Sequence, residues 1–248
     1  MQRTILITGA SRGIGAATAL LAAERGYQVC VNYLQNSQAA FAVVDSINQQ
    51  GGKAIALQAD VSLESDVAAL FTQLDKDLGN ITALVNDAGI LETQARVDQI
   101  DSERLHRIFS QNIVSCFLCA REAIKRMSTN YGGKGGAIVN VSSIAARTGA
   151  PNEYVDYAAS KGAVDAFTLG LAKEVADEGI RVNAVRPGFI YTDIHASGGE
   201  ANRVDRIKDS LPMRRGGQPE EVARAILWLL SEEASFSTGT FIDITGGR

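Results

Sequence analysis

Thr8-Gly9-Ala10-Ser11-Arg12-Gly13-Ile14-Gly15 follows the short apolar run Arg3-Thr4-Ile5-Leu6-Ile7 and leads directly into a helical pattern beginning Ala16-Ala17. A strand, a glycine turn and a helix in that order are what a dinucleotide pyrophosphate site requires. Gly9 permits the sharp turn, Gly13 lets the backbone approach the phosphates, and Gly15 allows close packing, while the helix start offers free amides at Ser11 to Ile14. A glycine-rich turn alone reads equally well as a plain loop. Its place after the first strand selects the phosphate site.

Working outward, strand-length apolar runs alternate with longer amphipathic segments to the end of the chain, which signals βαβ units around a parallel sheet. Strands are predicted near 3–8, 28–33, 54–59, 82–86, 137–142, 181–186 and 240–244, and helices near 13–25, 37–50, 64–78, 102–130, 153–178 and 219–231. Gly26, Gly51, Gly79 and Gly179 fall where helices should close. The expected fold is α/β: one Rossmann-type doubly wound domain over 1–248, with a mostly parallel seven-stranded sheet flanked by helices on both faces. The stretch 192–218 breaks the rhythm with Gly198, Gly199, Pro212, Gly216, Gly217 and many charges, and reads as a mobile substrate lid.

Composition narrows the function classes. With 248 residues, 46% apolar content and a net charge of −4, the chain has enough apolar material for a large core and lacks the basic face of a nucleic-acid or anionic-membrane binder. It shows no signal-peptide pattern and no bilayer-length apolar run, so a cytoplasmic protein is expected. Cys116 and Cys119 form a C-x-x-C pair, but no second ligand pair accompanies them. No metal is expected, and the two thiols read as small buried side chains on a helix.

The end of the second strand bears on which dinucleotide would bind. Sites for the unphosphorylated cofactor place a carboxylate about 20 residues past the glycines, on the ribose 2′-hydroxyl. Here the sequence is Val31-Asn32-Tyr33-Leu34-Gln35. With no carboxylate there, and with Arg12 able to pair with a 2′-phosphate, NADP(H) is expected ahead of NAD(H). The alternative for Arg12 is an exposed loop residue.

Tyr157-x-x-x-Lys161 puts a phenol and an ammonium on one helix face. A phenol ordinarily titrates near pH 10, and a nearby cation favours its phenolate, so such a pair can act as a tuned acid/base. Together with Thr8-x-x-x-Arg12-Gly13-x-Gly15, Asp60-Val61, Asn86-Asp87-Ala88-Gly89, Asn112, Ser142-Ser143 and Pro187-Gly188-Phe189-Ile190-Tyr191-Thr192, it resembles the short-chain dehydrogenase/reductase family over essentially the whole chain. The resemblance implies Tyr157 as general acid in carbonyl reduction and base in reverse. Lys161 would support the phenolate and hold the nicotinamide ribose, Ser143 would bond the substrate oxygen, and Asn112 would hold a water linking Lys161 to solvent. It further implies cofactor contacts from Asn32, Tyr33, Asp60, Val61, Asn86, Ala88 and Gly89, with Pro187, Gly188, Ile190 and Thr192 around the nicotinamide. Asp87 departs from the commoner Asn of this motif and is expected to point away from the phosphates.

The substrate is less legible. Two subgroups look similar, the 3-oxoacyl-(acyl-carrier-protein) reductases and sugar dehydrogenases resembling glucose 1-dehydrogenase, and a non-catalytic NADP(H)-binding sensor is the reading from another class. Arg147 would pair with an acidic substrate, pair locally with Glu153 or stand as a solvated loop charge, and His195 would line the pocket or lie exposed. Family resemblance also implies a homotetramer built through the two long helices carrying Asn112 and Tyr157.

Overall fold

The computed structural model describes residues 3–248. Seven strands, β1 (Arg3–Ile7), β2 (Tyr27–Tyr33), β3 (Lys53–Gln58), β4 (Ala83–Asn86), β5 (Gly136–Val141), β6 (Ile180–Pro187) and β7 (Phe241–Ile244), form one sheet in the order β3-β2-β1-β4-β5-β6-β7. Every pairing is parallel. Helices α1 (Gly13–Glu24), α2 (Ser37–Gln49), α3 (Glu64–Leu78), α4 (Ser102–Phe109), α5 (Ser115–Met127), α6 (Ala145–Thr148), α7 (Val155–Glu174), α8 (Ile194–Ser197), α9 (Arg203–Ile207) and α10 (Pro219–Leu230) make up the rest of the framework.

Parallel strands buried on both faces need apolar side chains at every position, and the alternation along each strand then divides the core in two. Ile5, Ile7, Val29, Val31, Val139 and Val185 face α1, α2 and α10. Leu6, Cys30, Leu84, Ile138 and Val182 face α3, α5 and α7. Because β1 lies between β2 and β4, the winding reverses there, and the crevice above the carboxyl ends of β1 and β4 is the topological switch point where ligands bind in such sheets.

The predicted helix over 102–130 runs unbroken from Ser102 to Met127, but it is not α throughout. Between α4 and α5 the chain makes a π turn, Ser110–Val114, in which the Ser115 amide bonds the Ser110 carbonyl, one residue further back than in an α-helix. The side chains of Ser115 and Cys116 donate to the carbonyls of Gln111 and Asn112, at 2.5 and 3.5 Å. Cys116 and Cys119 are both buried on α5, and burial pushes both thiols up. The stretch 192–218 is more structured than its composition suggests, holding α8, α9 and a 3₁₀ turn at Lys208–Ser210.

The glycine turn is held from below by Asn32. Its Oδ1 accepts the Gly9 amide at 3.3 Å, and its Nδ2 donates to Leu57 O and Ala59 O at 3.3 and 3.2 Å. Asn32 is 2% exposed, so the residue expected to contact a cofactor is instead an anchor joining β1, β2 and β3. Asn32→Ala would strand a buried amide and two carbonyls; it should lower the unfolding free energy by about 2–3 kcal/mol, read from urea denaturation.

Candidate active site

A groove of about 1040 Å³ runs along the carboxyl edge of the sheet, the upper end of the size range for a single small-ligand site. Its floor comes from four strand ends. The turn after β1 contributes Gly9, Ser11, Arg12, Gly13 and Ile14; β4 contributes Asp87, Ala88 and Gly89; β5 contributes Ser142 and Ser143; and β6 contributes Pro187, Gly188, Ile190 and Thr192. Tyr33, Tyr157 and Lys161 complete the set of predicted residues that line it.

Two glycines are required by geometry. Gly9 has φ +65°, and a Cβ there would stand 3.0 Å from Ala88 Cα; Gly13 has φ +58° and would meet Thr192 at 3.3 Å. Gly15 packs so closely that a Cβ would lie 2.8 Å from Ala10 Cα and 2.7 Å from Asp87 Oδ2. Thr8 then fastens the second loop to the first, since its hydroxyl accepts the amides of Asp87 and Ala88, both at 3.0 Å. The motif Thr8-x-x-x-Arg12-Gly13-x-Gly15 does not itself reveal this role; the signal for it is a hydroxyl at the last position before the turn.

Lys161 is 5% exposed. Its Nζ donates to Val141 O at 2.8 Å and stands 5.6 Å from the Tyr157 ring centroid. Ser142 Oγ turns back to the Lys161 carbonyl at 3.2 Å, while half-buried Ser143 stays in the groove and accepts only the Ala145 amide, at 3.1 Å. Asn112, fully buried in the π turn, is bonded to both backbone groups of Ile90 and to Ser160 Oγ, at 2.7–3.0 Å. Its Oδ1 and Lys161 Nζ both lie within about 3.5 Å of where a Gly89 Cβ would be.

Several predicted cofactor residues stand outside the groove. Asn86 Nδ2 bonds Asn140 Oδ1, and Asn140 bonds Thr168, forming a buried amide ladder between β4, β5 and α7. Val61 is buried in the core beneath α3. Asp60 caps its own turn: burial pushes its carboxyl up, but hydrogen bonds from Ser62 and Gln111 outweigh this and hold it below the usual range.

Asp87 overturns an expectation. It does not point away from the phosphate end but turns its Oδ2 toward Gly15 in the first turn of α1 and lines the groove. Burial pushes its carboxyl up to about 7, against the opposing pull of Lys161 and the Gly15 amide. Of the readings open for Arg147, the pair with Glu153 is not formed: its side chain is 61% exposed and meets Asp243 at 2.7 Å, as a solvated charge would. Glu153 instead holds Arg203, which is 6% exposed, bonds Glu200 at 2.8 Å and lies over the rings of Tyr154 and Phe189. His195 lines the groove with Nε2 on Ile190 O at 3.0 Å, and burial pushes its imidazole down.

The comparisons agree with this geometry. A family model described as enoyl-(acyl carrier protein) reductase matches residues 9–248. The chain is 61% identical to the uncharacterized oxidoreductase YgfF of Escherichia coli (strain K12), over 98% of each chain. It is 42% identical to a 3-oxoacyl-(acyl-carrier-protein) reductase of Synechocystis, over 98% of this chain and 95% of that one. The crystal structure of a short-chain type dehydrogenase/reductase from Mycobacterium marinum superimposes with a TM-score of 0.91 at 36% identity, covering 98% of this chain and 94% of the other. This chain belongs to the short-chain dehydrogenase/reductase family and is an oxidoreductase of that type. The family uses NAD(P) cofactors in general, and the groove fits one: positive-φ glycines, the start of α1 and an adjoining wall from β4 form a cradle that a Cβ at Gly9 or Gly15 would fill.

Asp87 generates a signed pH dependence. Its native value of about 7 lies above the unfolded value of 3.8. Its stabilising contribution is therefore complete below about pH 4 and is lost as pH rises through 7. Asp87→Asn should be free of that loss, so that its stability relative to the parent improves by up to about 4 kcal/mol between pH 4 and 8. Urea unfolding across that range checks it; parallel curves for the two proteins would contradict the burial argument.

Proposed function

We propose that this protein is an NADP(H)-dependent oxidoreductase that interconverts a carbonyl and a secondary alcohol, with Tyr157 as the general acid/base. The observation that carries the reading is the convergence of Tyr157, Lys161 and Ser143 on one groove that begins at the glycine turn. When bound, the nicotinamide supplies or accepts the hydride. Tyr157 donates its proton to the carbonyl oxygen in reduction and takes it back in oxidation. Lys161, held by Val141 O, stabilises negative charge on the phenol oxygen and would hold the nicotinamide ribose. Ser143 offers its hydroxyl where charge develops on the substrate oxygen. Asn112 fixes the loop carrying Gly89 and Ile90 against α7 and stands beside Lys161.

The preference for NADP(H) rests on the absence of a carboxylate in Val31–Gln35 and on Arg12. Arg12 caps α1 without spending its side chain there; its guanidinium is 57% exposed and only loosely paired, 3.9 Å from Asp193. A 2′-phosphate would be a stronger partner than that screened contact. Beyond Ser143 the groove wall mixes the apolar Leu91, Ile144, Pro151 and Phe189 with the charged or polar Glu153, His195, Arg203 and Arg248. Residues 192–218 act as the substrate lid of a single domain. Val114 and Phe117 at α5, and Leu169 on α7, leave 42–51% of their surface exposed, which suits a homotetramer assembled through those helices.

Tyr157→Phe should lose at least about 100-fold in turnover while keeping cofactor affinity within twofold. This is measured as NADPH oxidation at 340 nm on an aliphatic ketone, a β-keto ester, an aromatic aldehyde and an aldose, beside a fluorescence titration of NADPH. Unchanged turnover in Tyr157→Phe would sink the mechanism, and binding without turnover on any carbonyl would favour the sensor reading. Arg12→Ala should reduce the NADPH-to-NADH ratio of kcat/KM about tenfold; a parent enzyme that prefers NADH would refute the Arg12 argument.

A further inference from the structure

Apart from the groove, the most enclosed pair of opposite charges belongs to Arg104 on α4 and Asp156 in the first turn of α7. Their side chains are 9% and 1% exposed. Arg104 Nε donates to Asp156 Oδ2 at 2.6 Å and Nη2 to Oδ1 at 3.3 Å, so the guanidinium and carboxylate meet as two forks. The third donor, Nη1, reaches Thr93 O at 2.6 Å. The same Asp156 Oδ1 accepts the amide of Tyr157 at 2.9 Å. No side chain caps α7 at Tyr154, so this carboxylate serves the first turn in place of a cap.

A buried ion pair is poor evidence of stabilisation, because desolvating both charges offsets most of their attraction. What a forked, fully satisfied pair does supply is a fixed geometry. Around and beyond Tyr157, α7 is tied to the site by Ser160 with Asn112 and by the Lys161 carbonyl with Ser142, and two further connections bracket the phenol from either side. Lys161 ties the helix to the end of β5 through Val141 O, and Asp156 ties its first turn to α4. Tyr157 lies between these ties, while Ser143 comes from the loop after β5. The separation between the Tyr157 hydroxyl and Ser143 therefore depends on where the Asp156 tie holds the start of the helix. Thr93, gripped by Arg104, also packs beneath the lid, 3.3 Å from where a Gly199 Cβ would stand, and the neighbouring Gln94 bonds Glu200 at 3.0 Å.

We infer that Arg104 and Asp156 are positioning residues: the buried fork between them sets the location of the Tyr157 phenol relative to Ser143 and the lid-side wall. The inference rests on Tyr157 being the proton-transfer group. A displacement of about 1 Å at such a group is enough to slow the reaction roughly 100-fold without affecting binding elsewhere.

Arg104→Lys keeps the buried charges paired but removes the fork and the simultaneous bond to Thr93. Asp156→Glu keeps the charge and moves the carboxylate by one methylene. Each variant is measured three ways at the assay temperature: folded fraction by circular dichroism, NADPH affinity by fluorescence titration, and kcat and KM for the carbonyl of the panel that the parent reduces fastest. The expected result is a fall in kcat of about 10- to 100-fold in both variants, with KM, NADPH affinity and folded fraction each within about twofold of the parent. Parent-like kcat in either folded variant overturns the inference, as does a loss of kcat matched by an equal loss of folded protein or of NADPH binding. Tyr157→Phe in the same assay keeps the two questions apart: retained turnover there refutes the acid/base role itself, whereas parent-like Arg104→Lys beside an inactive Tyr157→Phe refutes only the positioning role.

Discussion

A parallel sheet leaves backbone amides and carbonyls without ladder partners wherever its strands end, and at a buried edge each must be satisfied in some other way. Here polar side chains take over that role at the carboxyl edge. Thr8 accepts two amides from the loop after β4, Asn32 accepts the Gly9 amide, Asn112 closes on both groups of Ile90, and Lys161 caps the Val141 carbonyl. All four residues are 5% exposed or less. The groove is held open by the same bonds that end the sheet, so its shape is a property of the folded core.

This dual use explains what was legible in the sequence. The seven strands and most of the long helices follow from local chemistry: apolar runs, glycine turns and amphipathic spacing lie within a few residues of one another. The glycine turn stood out by its place after β1 and the Tyr157–Lys161 pair by its spacing, whereas Ser143 was singled out by the family resemblance. The employment of polar side chains was not legible. Asn32 stands at the distance where a ribose contact is expected, and nothing in Val31-Asn32-Tyr33 shows that Leu57, Ala59 and Gly9 consume its whole amide. Arg147 meets Asp243 and Glu153 meets Arg203, partners 96 and 50 residues apart that no local pattern shows. Asp156 was visible beside Tyr157, but its partner Arg104 lies 52 residues away.

The sheet also divides labour between its faces. Helices α1, α2 and α10 pack on the side that carries the glycine turn, and α3, α5 and α7 on the side that carries Tyr157 and Lys161. Each strand contributes alternate side chains to both cores, so the strand ends are the only place where the two halves act on the same volume. Thr8 and the Asp87 loop join them there. The elevated Asp87 carboxyl is a by-product of that junction, since the closeness that lets Gly15 pack also removes the acid from water.

The π turn at Ser110–Val114 has a consequence that concerns counting. An α-helix advances 100° per residue, so one additional residue in a turn resets the angular frame of everything beyond it. Upstream, Arg104 is aimed at α7; downstream, Cys119, Ala123 and Met127 are aimed at the sheet; and Asn112 sits within the offset itself. Losing a single residue there would restore an unbroken α-helix and rotate one of these sets away from its target. The site therefore depends on the number of residues between its parts as well as on their kinds, and the wide turn is where that number is kept.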